Sequence, residues 1–195
     1  MSKLSEKSSP QLLNPQHWVD QYGNYLYHFA LGRLRNTTDS ENAVQETFLA
    51  AFKAKDSFSG KSTERTWLIG ILKHKIVDSL RKSYREKPVT DLQNDTEAIN
   101  QFFDRQEHFK KQPSQWLPKP DELLEKKEFW KVFYKCSEKL PKLSSDAFLL
   151  REVEKMDSKE VCKVLGITPS NLWVLLHRAR LHLRQCLEIN WFEER

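Results

Sequence analysis

Wherever apolar residues cluster in this chain they recur every three or four positions, the period that one face of an α-helix imposes. Between residues 16 and 35, Trp18, Tyr22, Tyr25, Leu26, Phe29 and Leu34 keep that spacing. Val44, Phe48, Ala51 and Phe52 keep it to about Ser57, and Trp67, Leu68, Ile71, Leu72, Ile76 and Leu80 keep it along a third, longer stretch that ends before Pro88. A half-buried strand would alternate with a period of two, and no stretch does so. Five glycines in 195 residues are few for a protein built on tight β-turns, which lean on Gly and Asn-Gly. The expected fold is all-α.

Local punctuation divides the helices. Asn36-Thr37 interrupts the first pattern, and Thr38 with Glu41 reads as a capping box that opens the second helix. Gly60-Lys61-Ser62 breaks the chain before the third. Between Pro88 and Pro120 stand four prolines, and from Asp91 to Glu107 five acids face one base, a net −4. That composition reads as a linker, with a short helical piece near Phe102. Asp121 opens a further helix carrying Leu123, Leu124, Phe129, Trp130 and Phe133 toward Pro141, and Ser144 to Lys155 is another, with Phe148, Leu149 and Val153 inward. The expected organisation is a disordered tail over 1–15, a helical domain over 16–87, a flexible linker over 88–120 and a second small helical domain over 121–195.

The last part of the chain is the most explicit. Asp157 and Glu160 read as a capping box for a short helix with Val161 and Leu165 inward. Gly166 accepts the left-handed conformation at its end, Thr168 caps the next helix, and Pro169 takes the first helical position, where a missing N–H costs nothing. A short helix, a glycine turn and a longer helix form a helix-turn-helix, the arrangement that seats a recognition helix in the DNA major groove. Leu172, Leu176, Ala179 and Leu183 would then face inward. Ser170, Asn171, Trp173, Val174 and His177 are left to meet base edges, and Arg178, Arg180 and Arg184 to meet phosphates. A plain αα-hairpin in a bundle fits the same pattern.

Charge is uneven. Eight Lys or Arg against three Asp or Glu between Lys61 and Lys87 give that stretch +5, as much as the whole chain. Its bases Arg65, Lys73, Lys75, Arg81, Lys82 and Arg85 are interleaved with Phe58, Trp67 and Tyr84, a mixture suited to single-stranded DNA. Trp67, on the stripe of Ile71, fits a core position equally well.

No apolar run is long enough for a signal peptide or a bilayer span, which predicts a cytoplasmic protein with no membrane insertion. Three cysteines, Cys136, Cys162 and Cys186, odd in number and far apart, predict buried free thiols rather than a disulfide framework. His182 and Cys186 share a helix face but lack a second pair at zinc-finger spacing, so no metal is expected. The absence of a Gly-rich phosphate loop or a nucleophile elbow argues against an enzyme, and no cofactor is implied.

Two blocks taken together, SENAVQETFLAAFKAKDSF with ERTWLIGILKHKIVDSLRK and LPKLSSDAFLLREV with EVCKVLGITPSNLWVLLHRARLHLR, resemble the extracytoplasmic-function (ECF) sigma factors of bacterial RNA polymerase. The resemblance covers about 140 of the 195 residues. It implies that the first domain docks on the core polymerase and melts the minus-10 promoter element, and that the second reads the minus-35 element. Gln45, Glu46, Phe48 and Leu49 would bind the β′ clamp helices, and the second domain the β flap. Lys61, Ser62, Arg65, Lys73, His74, Arg81 and Lys82 would contact minus-10 DNA. Asp78 would brace the fold.

In the same family Gly70 and His74 stand where relatives commonly carry Arg and Asn, and Trp173 and Leu175 where they carry Lys or Arg. A Trp-Val-Leu run on the recognition helix is also a surface that an anti-sigma factor would cover. Two other readings are a free-standing helix-turn-helix regulator of duplex DNA and a helical protein-interaction module.

Overall fold

A computed structural model of the chain describes residues 13–86 and 127–192. All regular structure among them is helical. Contacts divide the chain into two compact units, residues 1–80 and 81–195. The expected linker, its helical piece near Phe102 and the start of the helix placed at Asp121 lie outside the described residues.

In the first unit a 3-10 turn, Pro15–His17, leads into α1, Trp18–Leu34. Asn14 and Pro15, assigned above to a disordered tail, are therefore ordered, because the Asn14 N–H is held by a side chain of the third helix. α1 stops where Arg35 takes a left-handed conformation, φ 53°. α2 spans Thr37–Ala54 and is followed by a 3-10 turn, Lys55–Ser57. Its cap is Asn36, whose side chain accepts from the Asp39 N–H at 2.9 Å, rather than the expected Thr38. Asn is among the strongest N-cap residues, and Thr38 already lies inside the helix. α3 runs from Glu64 to Glu86, its residues from Arg81 on being counted with the second unit.

Leu26, Ala30 and Leu34 of α1, Ala43, Val44 and Ala51 of α2, and Leu68, Leu72, Ile76 and Leu80 of α3 form the buried apolar surface of these helices. Each fully buried Leu contributes about 1.5–3 kcal/mol relative to exposure. Phe52 departs from the expected stripe. It is 55% exposed, because Ala51 and Thr47 fill the inward positions and the Thr47 hydroxyl is satisfied by the Ala43 carbonyl at 2.7 Å.

The second unit is built from α4, Lys127–Glu138; α5, Lys142–Phe148, continued by a π-helical turn Leu149–Val153; α6, Ser158–Leu165; and α7, Pro169–Leu187, continued by a π turn Glu188–Phe192. α5 starts two residues before the expected Ser144, directly after Pro141. Phe129, Phe133, Leu140, Leu149, Ala179, Leu183, Leu187 and Trp191 make one buried cluster that joins α4 to α7.

Cys136 and Cys186 lie in this cluster and are bonded to each other as a disulfide, with Cα atoms 5.8 Å apart. This corrects the expectation of free thiols. Their 50-residue separation along the chain says nothing about distance once α4 and α7 pack together. A crosslink closing a loop of that length stabilises by about 4 kcal/mol through chain entropy. Cys162 is free and half-buried.

Candidate nucleic-acid and protein-docking surfaces

The outer face of α2 carries two large apolar side chains in water. Leu49 is 63% and Phe52 55% exposed, three residues apart and therefore neighbours on the helix surface. Gln45 is exposed one turn before Leu49, and Phe48 is half-buried. Glu46 is exposed and faces α3, where its carboxylate lies 3.2 Å from Lys75 Nζ. An exposed pair of this kind contributes at most about 1 kcal/mol. The ring of Phe52 has Lys55 Nζ 4.6 Å from its centre. Phe52 was missed as a surface residue, although its i+3 position from Leu49 was the available signal.

The segment between α2 and α3 is fixed at both ends. Phe58 packs on Trp67 at 5.0 Å between ring centres, and Trp67 meets Trp18 edge-on at 5.9 Å. Trp67 is thus a half-buried structural ring, as its periodicity allowed. Gly60 has φ +68°, which L side chains rarely adopt. Thr63 opens α3 by accepting from the Thr66 N–H at 3.2 Å.

Glu64, absent from every sequence-based expectation, holds this region together. At 9% exposed, its Oε1 accepts from the Asn14 N–H at 2.8 Å and from Trp18 Nε1 at 3.2 Å, and its Oε2 from the Tyr22 hydroxyl at 3.1 Å. Burial, then the hydrogen bond to Glu64, pushes the Tyr22 phenol above its ordinary value. Lys61 is exposed and Ser62 half-buried; Arg65 is exposed with its guanidinium 5.4 Å from the Tyr25 ring centre.

Along α3, Leu68, Leu72, Ile76 and Leu80 form the buried stripe. Opposite it, at two-turn spacing, lie His74, Arg81 and the adjacent Lys82. His74 and Lys82 are exposed and Arg81 half-buried; Lys73 is exposed on the flank. Gly70, exposed one turn before His74, extends that outer face with nothing within 4 Å of where a Cβ would stand. Asp78 is exposed on this face.

In the second unit the caps of the helix-turn-helix are formed, with Asp157 capping α6 through Lys159 rather than in the expected box with Glu160. The Asp157 carboxylate accepts from the Lys159 N–H at 2.8 Å, Gly166 caps α6 at φ 67°, and Thr168 Oγ1 accepts from the Asn171 N–H at 3.3 Å. Leu172, Leu176, Ala179 and Leu183 are all buried. Ser170, Val174 and His177 are exposed on the opposite face of α7, with Asn171 and Arg178 half-buried beside them. Trp173 is 69% exposed on one flank, where Arg180 pairs with the Glu152 carboxylate.

The expected Trp-Val-Leu surface is corrected by one residue. Trp173 and Val174 are exposed, but Leu175 is 0% exposed. It stands three residues after Leu172 and four before Ala179, so it lies on the core stripe.

Among the described residues no cluster of side chains could hold a metal ion. Cys186 is committed to Cys136. His182 is pushed below the ordinary imidazole value by burial and then by the Lys139 ammonium. Burial, then the Asp157 charge, raises the Cys162 thiol above its ordinary range. No helix among the described residues is long and apolar enough to cross a membrane.

Comparison with known proteins places a family on each unit. Residues 18–86 match Sigma-70 region 2, and residues 131–183 match Sigma-70 region 4. The chain is 36% identical over 171 residues to a probable RNA polymerase sigma factor of Haemophilus influenzae, covering 87% of both chains. It is 24% identical over 172 residues to the ECF RNA polymerase sigma factor SigX of Bacillus subtilis, covering 87% of this chain and 81% of that one. Among solved structures, the sigma factor RpoE of Bartonella quintana, in complex with the anti-sigma factor NepR, is similar at 20% identity and a TM-score of 0.41 over 90% of this chain and 97% of that one. With α1 to α3 inside the region 2 match and most of α4 to α7 inside the region 4 match, the chain belongs to the RNA polymerase sigma factors, in their extracytoplasmic-function group.

Proposed function

We propose that this chain binds core RNA polymerase and directs promoter-specific transcription initiation, acting in the cytoplasm as a regulatory subunit with no catalytic chemistry or cofactor of its own. The observation that carries the reading is that each sigma-region match falls on a helical unit with a buried apolar core and a distinct outward face. On α2, Gln45, Phe48 and Leu49, joined by Phe52, offer an apolar strip against which the β′ clamp helices would lie, with Glu46 at its edge. Lys61, Ser62, Arg65, Lys73, His74, Arg81 and Lys82 would hold the melted minus-10 strand, with phosphates on the cations and an extruded base at the Gly60–Thr63 turn.

The second unit would ride on the β flap and place α7 in the major groove at the minus-35 element. Ser170, Asn171, Trp173, Val174 and His177 would face base edges and Arg178 a phosphate. Arg180 already pairs with Glu152, so it contributes less to phosphate attraction than an unpaired arginine. Trp173 and Val174, large apolar side chains on a DNA-facing helix, suit coverage by an anti-sigma factor in the silent state. A free-standing regulator of duplex DNA would leave the exposed Leu49 and Phe52 of α2 without a role.

Two substitutions separate the two grips. Leu49→Asp is expected to weaken core polymerase binding at least tenfold with an unchanged melting temperature and unchanged duplex binding. Arg178→Glu is expected to weaken minus-35 duplex binding by an order of magnitude, as a phosphate contact becomes a repulsion, while core binding is retained. Fluorescence anisotropy with labelled promoter duplex and with core polymerase reads both. If either change weakened both activities equally in a folded protein, the division of labour would be wrong.

A further inference from the structure

The Cys136–Cys186 pair has no part in promoter reading, yet it sits at a mechanically sensitive point. Cys136 lies in α4, and Cys186 in the last turn of α7, the helix proposed to enter the groove. Everything between them, α5, α6 and most of α7, is enclosed by the bond, so the crosslink ties off the whole helix-turn-helix. Apolar contacts among the cluster residues, chiefly Phe129, Phe133, Leu183, Leu187 and Trp191, also join α4 to α7. The proposed function puts the chain beside core polymerase, and in a reducing compartment a protein disulfide is usually transient and regulatory.

We propose that Cys136 and Cys186 are a reversible thiol-oxidation site, a dithiol in reducing conditions and a disulfide after exchange with a low-molecular-weight disulfide, and that closing it stabilises the helix-turn-helix. In the bonded form the Cα atoms are 5.8 Å apart, inside the range of about 4.4–6.8 Å that a bridge requires.

Cys186 is the more accessible of the two, at 7% exposed against 1% for Cys136. Its sulfur also has an amide neighbour, Asn190 Nδ2 at 3.5 Å, and Cys186 is assigned the attacking thiolate. That thiolate attacks one sulfur of the small disulfide R–S–S–R, forming a mixed disulfide and expelling one RS−. The Cys136 thiolate then attacks Cys186 Sγ and expels the second RS−. The two protons lost by the protein thiols end on the two RSH products, and the two electrons of the pair reduce the small disulfide. Cys162 does not compete, being one residue without a nearby thiol partner at the site.

The consequence is a temperature window. Because the enclosed loop spans 50 residues, the oxidised second unit should melt higher than the reduced one by roughly 15–30 °C. Between the two midpoints, minus-35 binding is present in the oxidised protein and absent in the reduced one. This last step rests on the promoter reading; the thiol chemistry does not.

The test uses the full chain equilibrated with an excess of either reduced or oxidised glutathione. Thiol alkylation and intact mass then report the bond, and melting with promoter-duplex binding reports its effect. Oxidised protein should protect two of its three cysteines, melt higher, and bind duplex at least tenfold more tightly between the midpoints. Cys136→Ser and Cys186→Ser should each abolish the difference, and Cys162→Ser should keep it. Continued alkylation of all thiols after exposure to oxidised glutathione overturns the proposal, as does a bond that forms without raising the melting temperature. A melting shift with no duplex binding in either state supports the thiol site and counts against the promoter reading instead.

Discussion

Replacing Leu175 with Arg is expected to unfold the second unit at room temperature, while Val174→Arg, one position earlier, leaves it folded. Leu175 is 0% exposed on the core side of α7, and Val174 is 45% exposed on the opposite face. Truncating a buried Leu to Ala already costs about 2–5 kcal/mol, and driving an unpaired guanidinium into the same space adds a desolvation penalty of several more. Together these match or exceed the whole stability of a small domain, about 5–15 kcal/mol. On the exposed face, by contrast, a substitution is expected to stay within about 0.5 kcal/mol. The added cation at position 174 should also steepen the salt dependence of duplex binding by about one counterion. Circular dichroism melts and a salt titration read both. A folded Leu175→Arg beside an unfolded Val174→Arg would mean that the register of α7 is displaced by one residue.

Glu64→Leu is expected to lower the melting temperature of the first unit by roughly 10–20 °C. The carboxylate is the common acceptor for the Asn14 N–H, the Trp18 indole and the Tyr22 hydroxyl. Leucine leaves those donors unpaired where Trp18 is 2% exposed, and each buried unsatisfied donor costs about 1–3 kcal/mol. Glu64→Gln is the informative partner. Its amide oxygen still accepts from Asn14 and Trp18, and its NH2 can donate to the Tyr22 oxygen, so a loss of about 1 kcal/mol, the difference between a charged and a neutral acceptor, is expected. Because Glu64 opens α3 directly after the Gly60–Thr63 turn, Glu64→Leu should also reduce promoter opening more than it reduces core binding. Equal melting temperatures for the two variants would show that the hydrogen bonds, rather than the shape of the side chain, contribute nothing.

The period of the apolar residues carried most of this fold. It located the longer helices, while caps placed α6 and the start of α7, and along α7 it named Leu172, Leu176, Ala179 and Leu183 as the inward stripe, each of them buried. Where the reading slipped, a stripe was wider or narrower than one residue per turn. Leu175 belongs to a broad stripe, because α7 is packed by α4, α5 and α6 together. Phe52 falls off a narrow one, because small Ala51 and Thr47 take the inward positions of α2. The cap at Asn36 was visible as the stronger capping residue, while the Thr38–Glu41 spacing satisfied a pattern the backbone does not use.

Tertiary pairings were a different matter. Nothing in periodicity marks Glu64 as buried, since its reason for being inside is a set of donors some 42 to 50 residues away. The Cys136–Cys186 bond was hidden for the same reason. The family resemblance supplied the roles of the candidate residues, and those roles remain properties of faces: Leu49 and Phe52 on α2, His74 and Lys82 on α3, Ser170 and His177 on α7, each exposed on its own helix.

The most direct measurement is transcription by core RNA polymerase, with and without this chain, on a library of promoter fragments, with the RNA 5′ ends sequenced. The account predicts that adding the chain creates starts at a defined set of fragments sharing two separated sequence elements. It also predicts that the chain co-elutes with core polymerase before any DNA is added. A chain that binds duplex DNA but neither co-elutes with the core enzyme nor creates a single new start would contradict it.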